Sequence, residues 1–276
     1  MPVDSRTGRH PDTSSERRTC LHPATTRVAG VAKNTVLKLL HDLGTACENY
    51  QPEHVRDLVC RRVQCDEIWQ FCYSKQKNVP EKYRGRFGFG DIWTWVGIDA
   101  DTKLIVAWHL GRRDAGAACV FMNRLAGRIK TRIQLTTDGH RAYLDAVDEA
   151  WAREVDYAML VKLYGGEPAS KPETRYSPAQ CAGARRDAIS GDPDPEHIST
   201  GFVERQNLTM RMQMCRYTRL PNAHSKKLEN HRHATALHFV WYNFVRIHQT
   251  LRCSPAMQAG IDSHLWSMEE LVALAN

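Results

Sequence analysis

Short runs in which apolar residues alternate with polar ones predict a series of β-strands through the middle of the chain. We expect strands at residues 63–69 with an extension to residue 73, 91–99, 104–110, 133–138 and 155–164. The second and third runs are separated by residues 100–103, a connection of the length that joins two antiparallel strands in a hairpin. The first three strands are therefore predicted to form a meander.

Helical periodicity occupies the segments between and after the later strands. Residues 114–130 place Cys119, Met122 and Leu125 on one face, as an amphipathic helix requires. Further helices are predicted at residues 140–151, 200–217, 226–251 and 267–275. Thr200 is the predicted N-cap of the helix at residues 200–217, and Ser267 is the predicted N-cap of the last helix. Three strands followed by alternating helices and strands predict an α/β fold with an RNase H-like core, a mixed sheet with flanking helices.

The first sixty residues differ from this pattern. Residues 1–29 carry few large apolar side chains and no helical period, so we predict a disordered tail. A helix is predicted next, with Asn34 as its N-cap and Gly44 as its end. Its first residues are typical of the turn and second helix of a helix-turn-helix, but no first helix is predicted. Residues 30–60 are therefore interpreted as a partial helix-turn-helix-like DNA-binding segment.

The rest of the chain divides into a large domain and a short extension. Residues 61–252 contain all of the predicted strands and are assigned to the RNase H-like domain. Within it, residues 165–198 are rich in glycine and proline and are predicted to be an inserted loop. Residues 253–276 are predicted to be a helical extension at the C-terminus. The chain is thus divided into one large domain, which we expect to be catalytic, and a short N-terminal arm.

Composition excludes several classes of protein. Of the 276 residues, 42% are hydrophobic and 25% are charged, as in folded soluble proteins rather than disordered ones. No apolar run reaches the roughly 18–20 residues of a membrane span, so we predict no membrane partner. There is no apolar export signal, and none of the nine cysteines forms a Cys-x-x-Cys pair. We expect reduced thiols and a cytoplasmic location.

The positive charge of the chain is concentrated in one block. The formal net charge is +7, and residues 205–252 contain nine lysines and arginines but one acid, Glu229. Clustered positive charge is typical of a phosphate-binding surface, although a solvated helix face is the alternative. The block also contains His231 and His233. Residues two apart on a helix point in different directions, so we do not predict that these two histidines bind zinc together.

Three carboxylates stand out from their surroundings. Asp66 lies inside the apolar first strand, Asp138 ends the fourth strand, and Glu204 lies on a helix rich in arginine. Two strands and one helix can bring such groups to one edge of a sheet, where hard cations take carboxylate oxygens. Glu67 competes with Asp66. Because strand residues alternate between faces, we expect only one of the two at the site.

The sequences around these acids carry a specific resemblance. They are Val63-Gln-Cys-Asp-Glu-Ile-Trp69, Thr136-Thr-Asp-Gly-His140 and Phe202-Val-Glu-Arg-Gln-Asn207, and a further match is Tyr242-Asn-Phe-Val-Arg-Ile-His-Gln-Thr-Leu251. Together they resemble the motifs of bacterial insertion-sequence DDE transposases, of the insertion-sequence-one (IS-one) type or a close relative. The resemblance covers the chain from about residue 30 to the C-terminus.

The resemblance implies an enzyme of DNA recombination, a polynucleotidyl transferase that cuts insertion-sequence ends and transfers the strands. It implies that Asp66, Asp138 and Glu204 are both the catalytic residues and the ligands of Mg²⁺ or Mn²⁺, as two ions. The predicted DNA contacts are His140, Arg205, Asn207, Arg211, Arg216, Arg219, Lys226 and Lys227.

Further expectations follow for partners and alternatives. The expected partners are the transposon terminal repeats, target DNA and further copies of the chain, as a homo-oligomer on DNA. The expected location is the bacterial cytoplasm, associated with the nucleoid. Two alternatives remain open: an RNase H-like nuclease without strand transfer, and an inactive transposase-derived DNA-binding protein.

Overall fold

A computed structural model of the chain describes residues 21–164, 181–218 and 223–276. The strands in these ranges are β1 (Arg62–Cys72), β2 (Gly90–Asp99), β3 (Ile105–Gly111), β4 (Gln134–Asp138), β5 (Asp156–Tyr164) and β6 (Cys181–Ser190). The α-helices are α1 (Leu21–Ala29), α2 (Lys33–His54), α3 (Ala115–Ala126), α4 (Ala142–Trp151), α5 (Gly201–Gln213), α6 (Leu228–Val240), α7 (Pro255–Gln258) and α8 (Met268–Ala273).

The strands form one mixed sheet in the order β3-β2-β1-β4-β5-β6. β1 is antiparallel to β2, and β2 is antiparallel to β3, as expected for the meander. β4 is parallel to β1 and β5 is parallel to β4, and the chain reaches these two strands through α3 and α4. This α/β arrangement, a mixed sheet with flanking helices, is consistent with an RNase H-like core.

Apolar side chains pack on both faces of the sheet. Cys65 of β1 belongs to the same buried cluster as Phe121 of α3. Ile68 of β1 belongs to a second cluster, with Val203 of α5 and Phe239 of α6. Cys65 and Ile68 are an odd number of residues apart, so they point to opposite faces of the strand. The middle of β1 therefore lies between two layers of helix.

α1 replaces part of the predicted disordered tail. Residues 21–29 are helical, which corrects the expectation of no helix before residue 30, whereas residues 1–20 lie outside the described residues. Most of the described side chains of α1 are exposed, and Val28 is 90% exposed. The apolar residues of α1, Leu21, Ala24 and Val28, do have helical spacing, but the run is nine residues long and contains Pro23, which hides the helix in the sequence. α1 contacts α2, but the helix-turn-helix-like assignment of residues 30–60 stays a prediction.

α2 is longer than predicted and begins earlier. Its N-cap is Ala32 rather than Asn34, and the helix continues through Gly44 to His54. Gly44 does not end the helix and lies instead where α2 contacts α6. A Cβ atom added at Gly44 would stand 2.2 Å from the Cβ atom of His233. The glycine lets the two helices approach closely, and its signal in the sequence is the same as that of a helix end.

β6 lies inside the segment 165–198 that we expected to be an inserted loop. Residues 165–180 are outside the described residues, but β6 pairs with β5 in antiparallel register from Ser190 to Cys181. Side chains on both faces of β6 are mostly exposed. A strand without a buried face lacks the apolar alternation on which its prediction depends. This part of the insertion is therefore corrected to an edge strand.

The helices after residue 200 follow the prediction with shorter bounds. α6 ends at Val240 and passes into one π-helical turn, Trp241–Val245, instead of continuing to residue 251. α8 has the predicted cap: the Ser267 hydroxyl accepts from the N–H of Glu270, whose carboxylate accepts from the N–H of Ser267. Within the described ranges, every helix is too short or too polar to cross a membrane.

Candidate active site

Asp66 and Asp138 lie side by side where β1 and β4 stop pairing. The last paired residues of the two strands are Cys65 and Thr137, so the aspartates are the next residues along parallel strands. Asp138 is also the last residue of β4, and its carboxylate accepts a hydrogen bond from the backbone N–H of His140 at 3.0 Å. Ligand sites of α/β sheets are commonly found at the carboxyl ends of strands. Two of the three predicted acids meet there.

Glu67 joins the two aspartates, which corrects the expectation that only one of Asp66 and Glu67 reaches the site. One oxygen from each of Asp66, Glu67 and Asp138 lies within 4.8 Å of the other two, and we call these residues the acidic cluster. The neighbours on β1 do face opposite ways, Asp66 towards Asn207 of α5 and Glu67 towards Arg113 before α3. An oxygen of each nevertheless lies within 4.8 Å of one on Asp138, the last residue of β4.

Burial and mutual repulsion make negative charge costly in the acidic cluster. Burial, followed by the charge of Asp138, raises the pKa of Asp66 to about 6 and the pKa of Glu67 to about 8. Only 1% of the Glu67 side chain is exposed, and its Oε1 has no hydrogen-bond partner among the described residues. Clustered carboxylate oxygens with unmet bonding capacity suit a hard divalent cation, so the residues fit Mg²⁺ or Mn²⁺.

Two basic residues that the sequence did not single out face these acids. Nε of Arg113 lies 3.2 Å from Glu67, and its Nη2 lies 3.4 Å from Asp138. Lys162 of β5 forms an ion pair with Glu204. Arg113 follows the end of β3 and Lys162 lies near the end of β5, at the same edge of the sheet as Asp138. Position at that edge is the signal that could have found them.

Glu204 stands beside the acidic cluster. It lies in the first turn of α5, where its carboxylate accepts from the Thr200 hydroxyl and pairs with Lys162. Thr200 occupies the predicted N-cap position, but its side chain binds Glu204 rather than the helix backbone. The charge of Glu204 contributes to the raised pKa of Asp66. Glu204 thus acts on Asp66 through its charge, but it is not one of the three acids that meet within 4.8 Å of one another.

The predicted DNA contacts on α5 have different environments. Asn207 is buried, and its Nδ2 donates to Asp66 at 2.9 Å, so it orients that carboxylate. Arg205 is exposed, while Arg211 and the ring of His140 are half-buried. The role of these side chains in holding phosphate stays a prediction.

The predicted DNA contacts after α5 are divided by burial. Arg216 is buried and its Nη1 donates to the Ser225 hydroxyl at 2.7 Å, and its assignment as a DNA contact stays a prediction. Lys226 and Lys227 are exposed immediately before α6. Arg219 lies outside the described residues. Of the predicted basic contacts after α5 that the structure describes, only the two lysines are thus exposed.

No family model matches the chain, and no curated protein matches it either. It is weakly similar to the solved structure of the Mos1 transposase paired-end complex with left transposon end, with 13% identity, 56% of this chain and 61% of that chain covered, and a TM-score of 0.26. For the Mos1 strand transfer complex the identity is 14%, the coverage 56% and 60%, and the TM-score 0.25. The chain thus spans less than two thirds of either Mos1 chain, and similarity at this level says nothing about the chemistry of the acids.

Proposed function

We propose that this chain is a DDE transposase, which cuts DNA at the ends of an insertion sequence and joins them to target DNA. The observation that carries the proposal is the convergence of Asp66, Glu67 and Asp138, with Glu204 nearby, at one edge of an RNase H-like sheet. The motif resemblance narrows the proposal to bacterial insertion sequences of the IS-one type. Such an enzyme would act on nucleoid DNA in the cytoplasm as a homo-oligomer.

Asp66, Asp138 and Glu204 are proposed as the metal ligands, with Glu67 as an additional carboxylate. Mg²⁺ or Mn²⁺ held there, as two ions, supplies activation of the attacking oxygen and stabilisation of the leaving oxygen. Asn207 holds the Asp66 carboxylate in one orientation, and the backbone N–H of His140 does the same for Asp138. Fixed carboxylates lower the cost of assembling the reactive geometry.

The basic residues have two proposed roles. Arg113 and Lys162 offset the charge of the acids and stand where an incoming DNA phosphate must approach them. Arg205, Lys226 and Lys227 are exposed and would hold phosphates further along the strand. Contacts to phosphate give affinity and register and do not read the base sequence.

Strand transfer separates the proposed function from a plain nuclease. In transfer, the 3′-hydroxyl released by cleavage attacks a target phosphodiester, so one phosphodiester bond forms for each target bond that breaks. An RNase H-like nuclease would share the acidic cluster and stop after hydrolysis. Donor DNA supplied with pre-cut 3′ ends tests the distinction, because a transposase converts it to joined product and a nuclease does not.

The proposed function is tested by removing the charge of each acid. We expect Asp66→Asn, Asp138→Asn and Glu204→Gln to lower Mg²⁺-dependent cleavage by at least about 10²–10³-fold, because each removes a group that stabilises developing charge. The substrate is DNA carrying the inverted repeats that flank the gene of this protein. DNA affinity measured without divalent metal should stay within about threefold of the wild-type value, since the proposed phosphate contacts come from the basic residues.

Asp148→Asn on α4 is the matched control. Its carboxylate is 67% exposed and pairs only loosely with Arg153, at 3.7 Å. This variant should cleave like the wild type. Full Mg²⁺-dependent cleavage by all three charge-removed variants of the site would refute the assignment.

A further inference from the structure

A second group of potential metal ligands lies where α2 crosses α6, away from the acidic cluster. His41 of α2 and Glu229 and His233 of α6 each offer one ligand atom, and these three atoms lie within 4.8 Å of one another. We call this group the helix-crossing triad. Gly44 lies one turn along α2 from His41 and lets the helices approach at His233. The triad therefore depends on the contact between the N-terminal helices and the rest of the chain.

The triad differs from the pair His231 and His233, which lie two residues apart on α6. His231 is buried and directed elsewhere: its Nδ1 is 3.0 Å from Ser225 Oγ and its Nε2 is 3.0 Å from Gln70 Nε2. The two histidines of α6 do point apart, as the helical spacing predicts. His233 instead faces His41, with ring centres 4.8 Å apart and ring planes at 81°. Its ligand partner comes from another helix.

The spacing of the triad suits a tetrahedral ion. Glu229 and His233 are four residues apart, which places them on one face of α6. His41 Nε2 lies 3.6 Å from Glu229 Oε1. Zinc bonds of about 2.0–2.1 Å in a tetrahedral arrangement place ligand atoms about 3.4 Å apart, so only small side-chain movements would close the site.

Each imidazole has a polar side chain of α2 at 3.4 Å from its second nitrogen, and the carboxylate involved, that of Asp42, also pairs with Lys38 at 2.6 Å. His41 Nδ1 lies 3.4 Å from the Asp42 carboxylate, which leaves Nε2 as its nitrogen towards Glu229. His233 Nε2 lies 3.4 Å from the Thr45 hydroxyl. In metal sites, a carboxylate or other acceptor commonly binds the second nitrogen of each histidine and fixes its orientation. Both supporting residues come from α2.

One atom of the triad has unmet bonding capacity. His233 is 2% exposed, and its Nδ1 is buried without a hydrogen-bond partner among the described residues. A buried, unpartnered nitrogen costs free energy that a metal bond removes. His41 and Glu229, by contrast, are exposed, so an ion can enter from solvent and keep a water ligand.

We propose that His41, Glu229 and His233 form a zinc site that fastens α2 to α6, with water as the remaining ligand. Two imidazoles and one carboxylate suit Zn²⁺, whereas the all-carboxylate acidic cluster suits Mg²⁺. Since α6 packs against the sheet and α2 belongs to the N-terminal arm, bound zinc fixes the arm relative to the sheet. The proposal does not depend on the proposed transposase activity.

The first test measures zinc affinity of the full-length chain. Protein freed of metal with a chelator is titrated with Zn²⁺ against a chromophoric competitor, in excess Mg²⁺ to occupy the acidic cluster. We expect one equivalent of tightly bound zinc in the wild type. His41→Ala and Glu229→Gln should weaken it by at least about 100-fold, and Asp42→Asn by about tenfold.

Controls separate the triad from other sites and from loss of fold. His54→Ala removes another exposed histidine of α2 and should keep the wild-type zinc affinity. His41 and Glu229 are exposed, so their variants should unfold like the metal-free wild type. Zinc should raise the melting temperature of the wild type and of His54→Ala but not of His41→Ala.

Co²⁺ substitution reports the geometry directly. The wild type should show the intense visible bands of tetrahedral Co²⁺, and His41→Ala should lose them. Equal zinc affinity in the wild type, His41→Ala and Glu229→Gln would overturn the proposal. So would zinc binding that is lost in Asp138→Asn and retained in His41→Ala, since the ion would then occupy the acidic cluster.

Discussion

Burial acts in opposite directions on the carboxyl groups of the acidic cluster and on a histidine of α6. At the cluster, burial raises the pKa of Asp66 to about 6, so the ionised form is the costly one. On α6, burial, followed by the charge of Arg246, lowers the pKa of His238 to about 4, so the protonated form is the costly one. The carboxylates of the acidic cluster need a counter-ion to be ionised at low cost, whereas His238 of α6 stays neutral.

The two regions should therefore respond to acid with opposite sign. A carboxyl whose folded pKa is raised contributes stability that is lost as the pH rises. A histidine whose folded pKa is lowered contributes stability that is present above its unfolded pKa of about 6.5 and lost as the pH falls towards the folded value. Cations bound by carboxylates relieve the first effect.

The largest expected effect tests the histidine side. As the pH falls from 6.5 to 4, the cost of protonating buried His238 should lower the free energy of unfolding of the wild type by up to about 1.4 kcal/mol per pH unit. His238→Leu should show a correspondingly shallower fall, because leucine takes up no proton. Urea unfolding at pH 7, 6 and 5 measures the difference in slope.

Exposed His54 provides the control for this measurement. His54→Leu removes a histidine that is exposed, so an equal change of slope in this variant would show that the effect is not specific to His238. Parallel stability curves for the wild type and His238→Leu would contradict the assignment of His238 as a buried neutral base.

The next effect tests the close contact that the helix crossing requires. Gly44→Ala should lower the free energy of unfolding by about 1–3 kcal/mol, because its new methyl group overlaps His233. Gly116→Ala on α3 meets nothing nearer than 3.7 Å and should raise stability by up to about 1 kcal/mol. Chemical denaturation of the two variants should thus give changes of opposite sign, and two stabilised proteins would mean that the helices are not in close contact.

The smallest effect tests charge balance at the acidic cluster. Arg113→Gln should lower the stability of the metal-free chain by about 1 kcal/mol, since the half-exposed guanidinium offsets Glu67 and Asp138. Mg²⁺ should then stabilise this variant more than it stabilises the wild type. Thermal unfolding with and without Mg²⁺ makes the measurement.

The Arg112 side chain donates to the backbone carbonyl of Gly85 instead of to an acid. Arg112→Gln is the control, because it removes the same charge from the residue before Arg113. It should not increase the stabilisation by Mg²⁺. An equal response of the two variants would show that overall charge, rather than contact with the acids, sets the effect.

Much of the sheet could be predicted because its strands bury at least one face. The apolar positions of β1 to β5 reveal their type and order, and the placement of Asp66 and Asp138 at one edge follows from that order. β6 could not be found in this way, because it buries little and leaves no periodic pattern. α1 was missed because its helical spacing extends over nine residues and is interrupted by Pro23. The acid of α5, Glu204, was found through its motif rather than through periodicity.

Other residues were missed because their roles depend on contacts between segments that are distant in the sequence. Arg113 and Lys162 contact acids that are distant in sequence, so only the folded sheet edge pairs them. Glu67 was set aside by strand alternation, which separates side chains along a strand but not at the point where a neighbouring strand ends. Gly44 has the local signal of a helix end, and only the crossing with α6 shows its actual use.

β6 also bears on the solubility of the chain. It is the last strand in the order of the described sheet, and the backbone groups of an edge strand can pair with a strand of another molecule. Arg185 and Arg186 are exposed along it. Arg185 is paired with Asp187 on the same strand, so Arg186 is the charged side chain that opposes the pairing of this edge with a strand of another molecule.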